Sequence, residues 1–96
     1  MAEVIVRRAA QADVRQAALW YESQRAGLGS EFTLHFDALV ERIEQSPLQF
    51  PEIGRGVRRA LLRRFPYAIY FIAAACPVII AVLHQHRHPD TWKDRL

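Results

Sequence analysis

The chain has 96 residues, one cysteine and a formal net charge of +3, with 51% hydrophobic and 24% charged residues. That length fits one small core and excludes a second folded unit, and the balance is that of a globular chain rather than a disordered one. The lone Cys76 excludes a disulfide framework and a cysteine-rich zinc site and suits a reducing compartment, so a cytoplasmic location is expected.

Met1 to Arg8 sets Glu3, Arg7 and Arg8 around a short apolar run, too short for the core of a signal peptide. Within it, the β-branched Val4 to Val6 predict a first strand. From Ala9 to Arg25, Val14, Ala17, Ala18 and Tyr21 recur at steps of three and four, with Trp20 beside them. That spacing predicts an amphipathic helix closed by Gly27-Leu28-Gly29. A second stripe follows, Leu28, Phe32, Phe36, Leu39, Val40 and Ile43, with Glu31, Asp37, Glu41 and Glu44 mostly off it. It predicts a second helix, capped at Ser30 or Gly29 and stopped by Pro47. The tight glycine turn makes the two an antiparallel hairpin. His35 falls on the polar side of the second helix and is assigned no role.

Ser46 to Gly56, with Pro47, Pro51, Gly54 and Gly56, reads as a loop. Three strands are expected after it, Val57 to Arg63, Tyr67 to Ala74 and Val78 to His86, separated by Pro66 and Pro77 and joined as antiparallel hairpins. Val78 to Leu83 is apolar on both faces, which places the last strand inside the sheet. The run from Ala68 to Leu83 is 16 residues long and broken by Tyr70 and Cys76-Pro77. It falls short of the roughly 20 residues that span a bilayer, so no membrane is expected. Asp90 to Leu96 predicts one helical turn with Asp90 as its cap. The order βααβββ gives one α+β domain over residues 1–96, a two-helix hairpin on one face of a small, mainly antiparallel sheet.

Charge is split between the halves. Residues 1–52 hold five Arg against eight acids, a net of −3, while residues 53–96 hold seven Arg and Lys93 against Asp90 and Asp94, a net of +6. Twelve of the thirteen basic residues are arginine, whose planar fork suits paired contacts to phosphate or carboxylate. The second half is therefore expected to meet an acidic partner. Arg58, Arg59, Arg63, Arg64 and Arg87 are the candidate target- or phosphate-binding residues. In a regular strand Arg59, Leu61 and Arg63 share one face and Arg58, Ala60, Leu62 and Arg64 the other, so the exposed side of the sheet should be studded with guanidinium groups. They read as an anion clamp or as a solvated face for an acidic protein.

For proton transfer the candidates are His84, His86 and His88, which titrate near neutrality and, in an extended strand, would share one face at i, i+2 and i+4. That spacing can hold zinc. No carboxylate or thiolate lies near in sequence, however, and neither a metal nor a cofactor is expected. His84, next to Leu83, reads as structural, with His86 and His88 nearer the exposed end. Tyr67 and Tyr70 could stack on bases, but aromatic residues in a strand after proline read better as core.

Several segments together carry a family resemblance: Ala12-x-x-x-x-x-Ala18-x-Trp20-Tyr21, Gly27-Leu28-Gly29-x-Glu31-Phe32, Pro47-x-x-Phe50-Pro51, Arg58-Arg59-x-Leu61-x-x-Arg64-Phe65-Pro66-Tyr67-x-Ile69-Tyr70 and Leu83-His84-x-x-Arg87-His88-Pro89-x-x-Trp92. In this order and spacing, from Val4 to Arg95, the chain resembles the RelE/ParE superfamily of toxins from type II toxin-antitoxin (plasmid stabilisation) modules. The resemblance implies a compact toxin neutralised by a cognate antitoxin, as a homodimer or a toxin-antitoxin heterotetramer. It also implies one of two activities: RelE-like members are ribonucleases that cut messenger RNA on the ribosome, and ParE-like members poison DNA gyrase. The tail carries Trp92 and Lys93 rather than a tyrosine, and the loop before Val57 lacks the lysines of RelE proper. Trp20-Tyr21, the Gly-Leu-Gly turn and the Arg-Phe-Pro-Tyr segment are nearer ParE-like members. The implied function is growth inhibition by binding gyrase. The alternatives are a metal-independent ribonuclease, with Arg59 or Arg64 and Arg87 on the phosphate and His86 or His88 moving the proton, and an inactive fold that only binds its antitoxin.

Overall fold

The computed structural model of the protein describes residues 3–87 and 89–96. His88, and with it the proton-transfer role considered for it, lies outside the described residues. The chain runs β1 (Ile5–Val6), α1 (Arg8–Gln24), α2 (Leu28–Gln45), a 3-10 turn (Pro47–Gln49), β2 (Glu52–Gly54), β3 (Val57–Leu61), β4 (Tyr67–Ile72), β5 (Val78–His84) and a second 3-10 turn (Thr91–Arg95). The expected α+β order holds, with one addition: β2 lies inside the segment read as loop. Positive φ angles at Gly54, Arg55 and Gly56 reverse the chain tightly enough to pair Glu52 with Arg58. That three-residue strand has no hydrophobic alternation to announce it.

Strand order is β1-β5-β4-β3-β2, with β1 parallel to β5 and the rest antiparallel. β5 is thus internal, as its two apolar faces require. Its register with β4 shifts: Tyr70 faces Ala81 and Phe71 faces Ile79, so Ile80 is the extra residue of a bulge. The strands stop earlier than expected. β3 ends at Leu61 because residues 63–66 turn sharply, the Leu62 N–H donating to the Tyr67 carbonyl at 2.9 Å.

Both helices cover one face of the sheet. Ala17 and Tyr21 from α1 and Phe32, Phe36, Leu39 and Ile43 from α2 meet Ala60, Ile69, Phe71, Ile79 and Val82. Tyr21 and Phe32 stack on each other and both meet Phe65 and Tyr67, with centroids 4.8–6.1 Å apart, the offset and edge-on geometry that ring quadrupoles favour. His35, expected on the polar side, sets its ring edge-on to Phe65 at 5.6 Å.

The hairpin turn is closed by a contact the sequence did not indicate. Neither Ser30 nor Gly29 caps α2; its cap position is Gly27, at φ 89°. The carboxylate of Glu22, in the last turn of α1, accepts from the Gly27 N–H at 3.0 and 3.1 Å and from the Gly29 N–H at 3.0 Å. It satisfies donors a helix start leaves open. Close packing of the two helices requires glycine at position 29: a Cβ there would sit 2.5 Å from the Ala18 carbonyl oxygen.

The opposite face of the sheet is also apolar. Val57, Ala68, Tyr70, Ile80, Ala81 and Leu83 are buried in one cluster with Trp92 from the C-terminal turn, whose ring stacks on Tyr70 at 6.3 Å. The expectation of a guanidinium-studded sheet face is therefore corrected. Asp90 precedes the last turn but makes no side-chain cap, and Trp92 anchors the turn instead.

Candidate functional site

The five candidate arginines do not form one row. Arg58 points to the helix side and is half-buried, its Nη1 donating to the Phe50 carbonyl at 2.6 Å. The fold consumes it. Arg59 lies on the opposite face, in register with Tyr70. Burial pushes the Tyr70 hydroxyl above its ordinary 10.0, and Arg59 opposes that rise. Arg63 and Arg64 belong to no strand; they stand exposed in the bend after β3. Arg87 is exposed in the turn after β5, its guanidinium 5.9 Å from the centroid of the Trp20 ring, within the range of a cation–π contact.

What the structure brings together is one end of the sheet. The Gln85 N–H donates to the Pro66 carbonyl at 2.8 Å, and the Gln85 side chain donates to the Tyr67 carbonyl at 3.2 Å. These bonds tie the bend carrying Arg63 and Arg64 to the turn carrying Arg87. Beside this junction a cleft of about 340 Å³ opens between α1 and the end of β5, lined by Asp13, Trp20, Tyr67, His84, Arg87 and Arg95 among others. Burial raises the Tyr21 and Tyr67 hydroxyls above their ordinary 10.0 while Arg87 lowers both, so these tyrosines stay protonated at neutral pH.

The histidine row breaks because β5 ends at His84. His84 sits edge-on to Tyr67 at 5.4 Å, and its Nδ1 accepts from the His86 backbone N–H at 3.1 Å. His86 is exposed in the turn, its ring 5.9 Å from that of His84. Among the described residues no three His, Cys, Asp or Glu side chains are grouped to hold a metal ion.

One wall of the cleft is a clasp unforeseen in the sequence. Arg95 grips Asp13 with both nitrogens, at 2.9 and 3.0 Å, and donates to the Ile80 carbonyl at 3.1 Å. Asp13 also accepts from the Val82 N–H at 2.9 Å. β1 ends at Val6 and pairs only as far as Ile79, so these two β5 backbone groups lie beyond its ladder; Asp13 and Arg95 satisfy them. The Asp13 hydrogen bond holds the Arg95 pKa above its ordinary value against the opposing effect of burial. Asp13 and Arg95 are 82 residues apart, so no local spacing could have paired them.

No family model matches the sequence, and no curated protein matches it. Among solved structures, a chain from the structure described as the chromosomal ParDE TA system from P. aeruginosa is similar with a TM-score of 0.77 at 20% identity, covering 88% of this chain and 96% of that one. The likeness is one of fold, and it agrees with the family resemblance carried by the residues. Among the described residues no helix is long and apolar enough to cross a membrane.

Proposed function

We propose that the chain is the toxin of a type II toxin-antitoxin pair, that it arrests growth in the cytoplasm by binding a macromolecular target, with DNA gyrase the first candidate, and that an acidic antitoxin neutralises it. The fold likeness to a chain of a ParDE toxin-antitoxin structure is the observation that carries this reading. The arginine-bearing end of the sheet supports the mode of action: Arg63, Arg64 and Arg87 are exposed there, and arginine forks favour carboxylate and phosphate partners. The ribonuclease alternative needs a phosphate clamp and a proton carrier at one point. Arg59, on the Tyr70 side of the sheet, drops out of that clamp, which leaves Arg64 and Arg87, with the exposed His86 in the same turn as Arg87, as the set it would use.

The test is expression of the chain under tight control without an antitoxin. Filamenting cells with broken DNA are the expected result, relieved by co-expression of the antitoxin. Accumulated messenger fragments would transfer the assignment to the ribonuclease reading, and unimpaired growth would leave only the antitoxin-binding fold.

A further inference from the structure

The cleft between α1 and the end of β5, at about 340 Å³, lies at the lower end of the sizes in which proteins take small ligands. Its α1 wall is one helical stripe, Asp13, Gln16, Ala17 and Trp20. The buried Ala17, Val82 and Leu83 make its floor apolar. Trp20 is 47% exposed, although a ring of that size is more often mostly covered. Arg87 stands 5.9 Å from the centroid of that ring. An open indole beside a guanidinium sets a stacking surface next to an anion fork, the two contacts that hold a base and its phosphate.

The charges set the size of the anion. Asp13 and Arg95 neutralise one another, and both terminal nitrogens of Arg95 are spent on Asp13 and the Ile80 carbonyl. Arg87 makes no ion pair among the described residues, so the cleft has one guanidinium to give. On the far side of Arg87 a second hollow is lined by Asp90 and Asp94, whose carboxylates repel a longer phosphate chain. The backbone adds a polar contact. The N–H and C=O of one strand residue point to the same edge, and the Val82 N–H points to Asp13. The Val82 carbonyl therefore also faces this edge, where β1 has already ended, and can accept from a base N–H.

The geometry points to this cleft as a binding site for a nucleoside monophosphate, its base against Trp20 and its phosphate on Arg87. The inference goes beyond the toxin reading and does not require it, since it concerns a small ligand on the isolated chain and not the macromolecular target.

Isothermal titration calorimetry of the chain with AMP, GMP, CMP and UMP tests it, with indole fluorescence followed alongside. At least one monophosphate should bind with a dissociation constant on the order of 0.1 mM or tighter, as befits a small ligand in an open cleft. It should quench the fluorescence of Trp20, and the quenching should vanish in Trp20→Leu while the buried Trp92 still emits. Trp20→Leu and Arg87→Gln should each weaken binding by roughly tenfold or more, the worth of a base stack and of a hydrogen-bonded charge. Arg15→Gln, exposed on α1 but outside the cleft, should bind like the native chain. Near-ultraviolet circular dichroism should show the same fold in all three variants. Absence of binding by every monophosphate overturns the inference. So does inorganic phosphate that binds as tightly as the nucleotide, a matching triphosphate that binds more tightly, or an affinity that neither cleft substitution weakens.

Discussion

The clasp at Asp13 and Arg95 and the bend-and-turn pair at Arg63, Arg64 and Arg87 lie at one end of the molecule and use the same side chain in opposite ways. In the clasp, side-chain exposures are 24% for Arg95 and 11% for Asp13, and every contact is directed at a fixed partner. In the bend and the turn, the guanidiniums are exposed, and none of the three belongs to an ion pair among the described residues. Arginine held by the interior gives stability that salt hardly screens, while exposed arginine gives almost none and is left for association. Arg58, bonded to the Phe50 carbonyl, behaves like the first group despite sitting in sequence with the second.

Substitutions should separate the two groups. Asp13→Ala is expected to have the largest effect, about 3 kcal/mol, because it strands a partly buried guanidinium and leaves the Val82 N–H unsatisfied. A domain of this size would lose more than about 10 °C in melting temperature; a loss under about 1 kcal/mol would mean the clasp is ornamental. Arg58→Ala should cost about 1–1.5 kcal/mol by denaturant titration, the worth of its hydrogen bond to a carbonyl. Arg63→Ala and Arg64→Ala should change stability by less than about 0.5 kcal/mol yet weaken binding to an acidic partner in a salt-dependent manner. If Arg58→Ala and Arg64→Ala proved equally benign, the division between held and free arginine would collapse.

Alkaline pH probes the region around both groups. Burial raises Tyr21, Tyr67 and Tyr70 above their ordinary 10.0. Unfolded tyrosines ionise first, so the stability these residues provide is whole below that value and drains away as pH rises past it through the folded values. Equilibrium denaturation across the alkaline range should show this decline, and a flat profile would contradict the burial of the three hydroxyls.

The helices and the main strands were legible because their burial follows a period: Phe32, Phe36, Leu39 and Ile43 are inward as their spacing requires. The arginine platform was not, because a strand alternates only while it remains a strand, and β3 ends before Arg63. The same applies to the histidines after His84. β2 is held by a glycine-rich reversal, and the clasp by two residues that meet only in the finished fold. Trp92 was visible as part of a family pattern, but its work of roofing the second face at Tyr70 depends on the tail's return path. Of the candidate site, the sequence could name the arginines but not sort them.

Supercoiling of relaxed plasmid by purified gyrase tests the proposed mode of action most directly, comparing the chain with a variant carrying Arg63→Ala, Arg64→Ala and Arg87→Ala. The account predicts that the native chain blocks supercoiling and that the variant, unfolding at nearly the same temperature, does not. An inert native chain, or a variant of undiminished potency, would contradict it.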